Sequence, residues 1–211
     1  MNKYDNNILD FRLGDFLIAL SLLTRIPVNI DHHESGERAS KATWAYPLVG
    51  ALIGAISASV ANTAIFVGLP FSIGAILSLI TMAALTGGMH EDGLSDSADG
   101  LWGAKDKGQI LQIMKDSRIG SFGAIALVLI IVGRYASIKD LIQIESLFWP
   151  LIAAASISRV PMVAAMVFMQ NARADGLSAS VGKPSQISLI VAAVIGTITC
   201  LISAGILGLL V

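Results

Sequence analysis

Charged residues are scarce in this sequence. Only 14% of its 211 residues are Asp, Glu, Lys or Arg, whereas 55% are hydrophobic. Because charged residues make up about 25% of ordinary soluble domains, this composition indicates a membrane protein. The formal net charge of −1 gives no support for a nucleic-acid-binding surface, which needs an excess of basic residues. We therefore expect the lipid bilayer, and no nucleic acid, among the partners.

Cysteine is almost absent as well. Cys200 is the single cysteine and lies in an apolar run, so a disulfide within the chain is excluded. A cleavable signal peptide is not indicated either, because the apolar stretch Leu13–Leu23 contains Asp15 and lacks a small-residue cleavage site. The stretch is too short to cross a bilayer, so we expect an amphipathic or interfacial helix.

Long apolar segments are what the sequence has in abundance. A helix needs about 20 mainly apolar residues to cross a hydrocarbon core of about 30 Å. So short a chain could not cover several helices that are apolar on every side, which argues against a soluble protein. We predict an all-α, multi-pass transmembrane bundle that forms a single domain, 1–211. The five predicted spans are Pro47–Leu69, Pro70–Met89, Ser121–Ile138, Leu147–Met169 and Ile187–Val211.

Two patterns in these segments predict packing and orientation. Gly50 and Gly54 lie one turn apart in the first span, which predicts a closely packed neighbouring helix. Three basic residues lie in residues 24–46, four in residues 90–120 and two in residues 170–186, whereas the connections between them carry one or none. By the positive-inside rule these three connections are cytoplasmic. We expect a protein of the inner cell membrane, with a cytoplasmic active-site loop at about residues 87–120.

That loop opens with HEDGLSDSADG, residues 90–100, which contains four acidic residues and no basic one. If the segment is helical, Asp92, Asp96 and Asp99 share one face. Carboxylates about 5 Å apart repel one another by roughly 3 kcal/mol per pair at an effective dielectric constant of 20. Protonation or a facing arginine could offset this repulsion, and a divalent cation would do so most directly. The alternative is a solvated loop whose acids only keep it in water.

A basic stretch follows, KDSRIGSFG, residues 115–123. It contributes Lys115, Asp116, Ser117 and Arg118 at the start of the third predicted span. Carboxylates that bind a cation, beside Lys and Arg that bind phosphate, are the arrangement needed to transfer a phosphoryl-linked group. Mg²⁺ suits such a site because a few carboxylates and the substrate phosphates hold it. We favour this interpretation over the solvated loop.

Three further arginines were considered for the site. Arg159 lies in the middle of the fourth predicted span, where an arginine usually faces the protein interior, and is a candidate phosphate ligand. Arg173 lies with Asp175 on a cytoplasmic connection, either in the site or solvated. Arg134 is near the end of the third predicted span, and we expect its side chain to extend to the interface.

Five blocks of sequence together resemble one enzyme family. In family order they are LTRIPV (23–28), YPLVGALIGA (46–55), GGMHEDGLSDSADGLWG (87–103), IMKDSRIGSFG (113–123) and SRVPM (158–162). They resemble the cobalamin synthases, the adenosylcobinamide-GDP ribazoletransferases, from about residue 10 to about residue 182. Family members usually continue with a G-G-x-T-G-D motif, whereas this chain ends in LISAGILGLLV.

The resemblance implies a multi-pass membrane enzyme of late cobalamin synthesis. Such enzymes join adenosylcobinamide-GDP to α-ribazole, or to its 5′-phosphate, and release GMP in a Mg²⁺-dependent reaction. Other enzymes of the pathway or a second copy of the chain are further expected partners. By analogy the predicted roles are as follows: Glu91, Asp92, Asp96 and Asp99 as metal ligands; Asp92, Asp96 or His90 as the group that accepts the hydroxyl proton; and Lys115, Asp116, Ser117, Arg118, Arg159 and Arg173 as substrate-binding residues.

Three other functions were compared with this one. A CDP-alcohol phosphotransferase also uses spaced aspartates and Mg²⁺, but Asp99 stands where its motif requires arginine. A transporter would need acidic residues at membrane depth, and the middles of the five predicted spans have none. A non-catalytic membrane scaffold for cobalamin enzymes is the third alternative, favoured if the G-G-x-T-G-D motif is essential for activity.

Overall fold

The structure, a computed structural model, describes residues 11–204, and all the regular elements in that range are helical. The predicted all-α fold is therefore confirmed. A 3-10 helix, Lys41–Ala45, leads into α3. The α-helices are α1 (Leu13–Leu23), α2 (His32–Arg38), α3 (Tyr46–Phe66), α4 (Phe71–Thr86), α5 (Met89–Gly103), α6 (Lys107–Ile113), α7 (Ser121–Gln143), α8 (Phe148–Ile157), α9 (Val160–Phe168), α10 (Leu177–Val181) and α11 (Gln186–Ala204).

Four helical segments in the described range are long and apolar enough to cross a membrane. They are Lys41–Phe66, Ser121–Gln143, Phe148–Phe168 and Gln186–Ser203, and each overlaps one of the predicted spans. The last residues of the fifth predicted span, 205–211, lie outside the described range. The N-terminal segment forms α1, a helix of 11 residues, and its amphipathic or interfacial character stays a prediction.

The second predicted span, Pro70–Met89, differs from the prediction. Helix α4 has only 16 residues, and it qualifies as a crossing only together with α5, to which it is joined by a bend of 87°. The bend lies at Gly87 and Gly88, which both adopt the left-handed conformation, with φ of 66° and 71°. Side chains other than glycine rarely tolerate that conformation. The glycine pair therefore ends α4 and redirects the chain into the acidic helix.

Residue contacts divide the chain into two units. Residues 1–54 and 149–211 form the first unit, and residues 55–148 form the second. In the first unit, α3 and α8 approach backbone to backbone. A Cβ atom on Gly50 would overlap the carbonyl group of Ala155, and one on Gly54 would lie 2.7 Å from the carbonyl oxygen of Leu151. The predicted close packing at the two glycines is confirmed, and the single-domain description stays a prediction.

In the second unit, α4 and α5 both pack against α7. Helix α5 is antiparallel to α7, because Asp99 contacts the start of α7 whereas Glu91 reaches Arg134. Arg134 is about 20 Å along α7 from its first residue, at 1.5 Å per residue. The acidic segment is thus a helix that lies along a candidate membrane span. It is not a free loop.

Candidate active site

The acidic segment is helical throughout, so the three aspartates share one face of α5, as predicted for a helix. Their environments nevertheless differ. Asp92 is exposed, Asp96 is partly buried and Asp99 is only 8% exposed. Glu91 and Asp92 lie in the first turn, where the positive end of the helix dipole stabilises carboxylates. His90, the second residue of α5, is partly buried.

Asp99 connects α5 to the amino end of α7. Its two carboxylate oxygens accept hydrogen bonds from the backbone N–H groups of Gly120 and Gly123, at 2.8 and 2.9 Å. Ser95, one turn earlier on α5, is also buried against Gly123. Because residues 115–118 end two residues before Gly120, this contact brings the acidic and basic stretches to the same end of α7.

The basic stretch lies on the connection between α6 and α7. Arg118 Nε donates to Asp116 Oδ1 at 3.0 Å, and Arg118 Nη2 also donates to the Asp116 carboxylate. The hydrogen bonds from Arg118 hold the pKa of Asp116 below its usual value. Lys115, Ser117 and Arg118 are exposed. Asp116 therefore orients Arg118 in a position where the guanidinium is accessible to a phosphate group.

Glu91 lies in the first turn of α5 and pairs with Arg134 of α7. Arg134 Nη1 donates to Glu91 Oε1 at 2.8 Å, and Arg134 Nη2 lies 3.3 Å from the sulfur of Met82. These contacts hold the guanidinium against α4 and α5, and the expected extension of Arg134 to the membrane interface stays a prediction. Both charged residues border an otherwise apolar groove of about 490 Å³, lined by Ile76, Ile80, Ile131, Val132 and others.

The remaining two predicted substrate-binding residues belong to the first unit. Arg159 is buried at the break between α8 and α9, and its Nη1 donates to Ser158 Oγ at 2.8 Å. The break precedes Pro161, which occupies the first turn of α9. Arg173 is exposed, with its Nε 3.9 Å from Asp175 Oδ1. The substrate contacts of Arg159 and Arg173 stay predictions.

One polar centre was missed by the sequence reasoning. Asp15, fully buried in α1, accepts hydrogen bonds from Arg38 Nε and Nη2 at 2.9 and 3.0 Å and from Trp44 Nε1 at 3.1 Å. An aspartate within an apolar run was the available signal, because a carboxylate there needs a partner. The partner could not be identified, since Arg38 is 23 residues away in sequence.

The side chains of the four predicted metal ligands differ in their partners. In residues 11–204, no group of three or more His, Cys, Asp or Glu side chains is placed to hold a metal ion. Glu91 is paired with Arg134, and Asp99 with the amides of α7. Asp92 and Asp96 lie one turn apart on α5. Two carboxylates suffice for a Mg²⁺ ion that takes its other ligands from substrate phosphates and water, so these two residues fit the metal.

A helical membrane protein with carboxylates and exposed basic side chains beside one candidate span has the features expected of a membrane transferase of phosphoryl-linked groups. A model of the cobalamin-5-phosphate synthase family matches residues 15–211. The chain belongs to this family, which confirms the resemblance found in the sequence.

Relatives with assigned names agree with this placement. The adenosylcobinamide-GDP ribazoletransferase of Mesorhizobium japonicum is 40% identical over 90% of this chain and 73% of its own length. The protein of the same name from Bradyrhizobium diazoefficiens is 37% identical over 92% of this chain and 74% of its own length. No solved structure matches the chain.

Proposed function

We propose that this protein is a membrane transferase of late cobalamin synthesis that joins adenosylcobinamide-GDP to α-ribazole or its 5′-phosphate and releases GMP. The observation that carries the proposal is the contact of Asp99 with Gly120 and Gly123, which brings the acidic and basic stretches to one end of α7. The family membership favours this reaction over that of a CDP-alcohol phosphotransferase. We place the reaction on the cytoplasmic side, as the distribution of basic residues predicts.

The reaction breaks the anhydride bond of a diphosphate and forms a phosphate ester bond. The 3′-hydroxyl oxygen of the ribazole attacks the cobinamide-linked phosphorus, the bond from this phosphorus to the bridging oxygen of the diphosphate breaks, and GMP leaves. The hydroxyl proton passes to His90 or to Asp92 or Asp96. A carboxylate or imidazole can act in this way when it lies within hydrogen-bond reach of the hydroxyl.

The charge on the diphosphate determines the roles of the other residues. Asp92 and Asp96 would hold Mg²⁺, which when bound neutralises charge on the diphosphate and on the departing GMP. Lys115 and Arg118 bind phosphate oxygens, with Arg118 oriented by its hydrogen bonds to Asp116. Ser117 is an exposed hydroxyl between the two basic side chains.

The test is release of GMP by the purified protein in lipid nanodiscs, supplied with adenosylcobinamide-GDP and α-ribazole 5′-phosphate. We expect release that requires Mg²⁺ and falls at least 100-fold in Asp92→Asn and in Asp96→Asn, because each variant removes a metal ligand. Asp140→Asn is the matched control, since Asp140 is an exposed aspartate near the far end of α7. It should retain the wild-type rate. Folded wild-type protein that releases no GMP would contradict the proposal.

A further inference from the structure

We propose that Asp99 is a positioning residue and not a metal ligand: it fastens α5 to the amino end of α7 and so sets the position of the loop Lys115–Arg118. The inference rests on the proposed function, because the loop matters only if it binds the diphosphate substrate. It assigns a separate task to one member of an acidic cluster whose four residues look alike in sequence.

The first argument is the set of acceptors that the start of α7 needs. The first N–H groups of a helix have no acceptor within the helix, and they carry the positive end of its dipole. No side chain at the N-cap position of α7 provides an acceptor, because that residue is Gly120. Asp99, which belongs to another helix, provides two acceptors: one oxygen for the N–H group of Gly120 and the other for the N–H group of Gly123. Both carboxylate oxygens are thus used in capping α7.

The second argument is the space around this carboxylate. A Cβ atom on Gly120 or on Gly123 would overlap the carboxylate of Asp99. Gly120 has φ of −87° and ψ of 178°, a conformation open to any residue, so its backbone does not require glycine. Gly120 is therefore explained by the room that Asp99 needs, and Gly123 by the room that Asp99 and Ser95 need together. Asp92, by contrast, is exposed.

The third argument is how the loop is held. Its first end follows α6, which packs on α5: a Cβ atom on Gly100 would lie 3.0 Å from Cγ of Met114. Its second end leads into Gly120, whose N–H group is bonded to Asp99. Because both ends are fixed to α5, the position of Lys115–Arg118 relative to Asp92 and Asp96 depends on the Asp99 contact.

The experiment separates positioning from metal binding with two measurements on protein in nanodiscs. Hydrogen exchange of the backbone amides of residues 119–124, without Mg²⁺ or substrate, reports the Asp99 contact directly. The rate of GMP release at varied adenosylcobinamide-GDP and varied Mg²⁺ gives a KM for the substrate and a half-saturating Mg²⁺ concentration. The variants are Asp99→Asn, Gly120→Ala and Asp92→Asn, with Asp140→Asn as control.

For Asp99→Asn we expect amide exchange at least tenfold faster, a KM for adenosylcobinamide-GDP about tenfold higher, and a half-saturating Mg²⁺ concentration within twofold of wild type. Gly120→Ala should show the same pattern, because its added methyl group displaces the Asp99 carboxylate although no acidic residue is removed. Gly120→Ala also tests the Asp99 contact if Asp99→Asn does not fold. Asp92→Asn should leave amide exchange unchanged. A general loss of folded protein would lower the rate without raising the KM.

Two results would overturn the inference. One is wild-type amide exchange in both Asp99→Asn and Gly120→Ala, which would mean that Asp99 does not cap α7. The other is an increase in the half-saturating Mg²⁺ concentration in Asp99→Asn, or a loss of the Mg²⁺ response, with the substrate KM unchanged, which would make Asp99 a metal ligand. If the wild type releases no GMP, the proposed function fails, and amide exchange still decides whether Asp99 holds α7.

Discussion

At the scale of single residues, the surroundings of each carboxylate separate acids that the sequence presents as one group. Glu91 faces a guanidinium and Asp99 faces two backbone amides, whereas Asp92 is exposed. Charged groups that leave water need partners that replace their hydration, and α7 provides such partners for Glu91 and Asp99. We assign Mg²⁺ to Asp92 and Asp96 because they lie one turn apart on α5 and two carboxylates suffice for this ion.

The buried pair of Asp15 and Arg38 makes a prediction for stability. Asp15→Asn should lower the free energy of unfolding by about 3–5 kcal/mol, because Arg38 then stays buried without its counter-ion. Chemical unfolding followed by circular dichroism in detergent measures this. Asp31→Asn is the control: Asp31 caps α2 at the exposed surface, and the change should be nearly neutral because asparagine is an equally good N-cap residue. Equal losses in the two variants would contradict the prediction.

The same pair predicts how stability depends on pH. Burial alone raises the pKa of Asp15, but hydrogen bonds from Arg38, from the backbone of Arg12 and from Trp44 lower it below the ordinary value of 3.8. A carboxyl group with a lowered pKa stabilises the fold above its unfolded-state pKa, and this stabilisation is lost as the pH falls through the folded-state pKa. Unfolding measured from pH 6 to pH 2 should show a steeper loss below pH 4 in wild type than in Asp15→Asn.

The pair of Glu91 and Arg134 makes a prediction about coupling. Arg134→Met leaves the Glu91 carboxylate beside an apolar groove without its guanidinium, so it should destabilise the protein more than Glu91→Gln does. The double variant should recover part of the loss, with a coupling free energy of about 0.5–3 kcal/mol. The unfolding free energies of wild type, the two single variants and the double variant complete this double-mutant cycle and give the coupling free energy. Additive effects would show that the 2.8 Å contact is not a stabilising ion pair.

At the scale of helices, glycines decide where backbones meet and where they turn. Gly50 and Gly54 let α3 approach α8, and Gly87 and Gly88 turn the chain from α4 into α5. The first use depends on the missing side chain and the second on the permitted positive φ. A sequence pattern distinguishes the two uses only in part, because a glycine pair one turn apart predicts packing whereas adjacent glycines predict a turn.

The packing role predicts the outcome of adding one methyl group. Gly50→Ala should destabilise the protein by about 1–3 kcal/mol or more, because its Cβ atom would overlap the Ala155 carbonyl and force α3 and α8 apart. Gly133→Ala in α7 is the matched control, since nothing lies within 4 Å of its added Cβ atom. It should be neutral or stabilising by about 0.5–1 kcal/mol. Thermal unfolding in nanodiscs compares the two, and equal effects would exclude close packing at Gly50.

At the scale of the whole molecule, composition and helix length define a multi-pass membrane protein with four or five crossings. The fifth crossing is the bent pair of α4 and α5, counted as one span, and it includes the helix to which we assign the reaction. Because α5 lies along α7, the acids extend from one end of a candidate span toward its middle. Asp99 is the acid that lies beside the start of α7, where the loop Lys115–Arg118 ends.

The predicted orientation can be measured with single cysteines in a Cys200→Ser background, since Cys200 is a buried thiol. Lys105→Cys and Lys183→Cys should react with an impermeant maleimide only when the cytoplasmic face is open, and Leu69→Cys only from the opposite face. All three positions are exposed. The expectation follows from the excess of basic residues on cytoplasmic connections. Labelling of Lys105→Cys in intact spheroplasts would show that the orientation is opposite to the predicted one.

The sequence by itself determined the membrane class, the helical fold, four of the five crossings and the family, because these depend on composition, length and local motifs. Tertiary structure decided which groups Glu91 and Asp99 contact, where α5 turns away from α4, and which side chains pair with Asp15. The physical reason is that a carboxylate takes its role from the groups facing it across helices. Those groups lie 21 to 43 residues away along the chain.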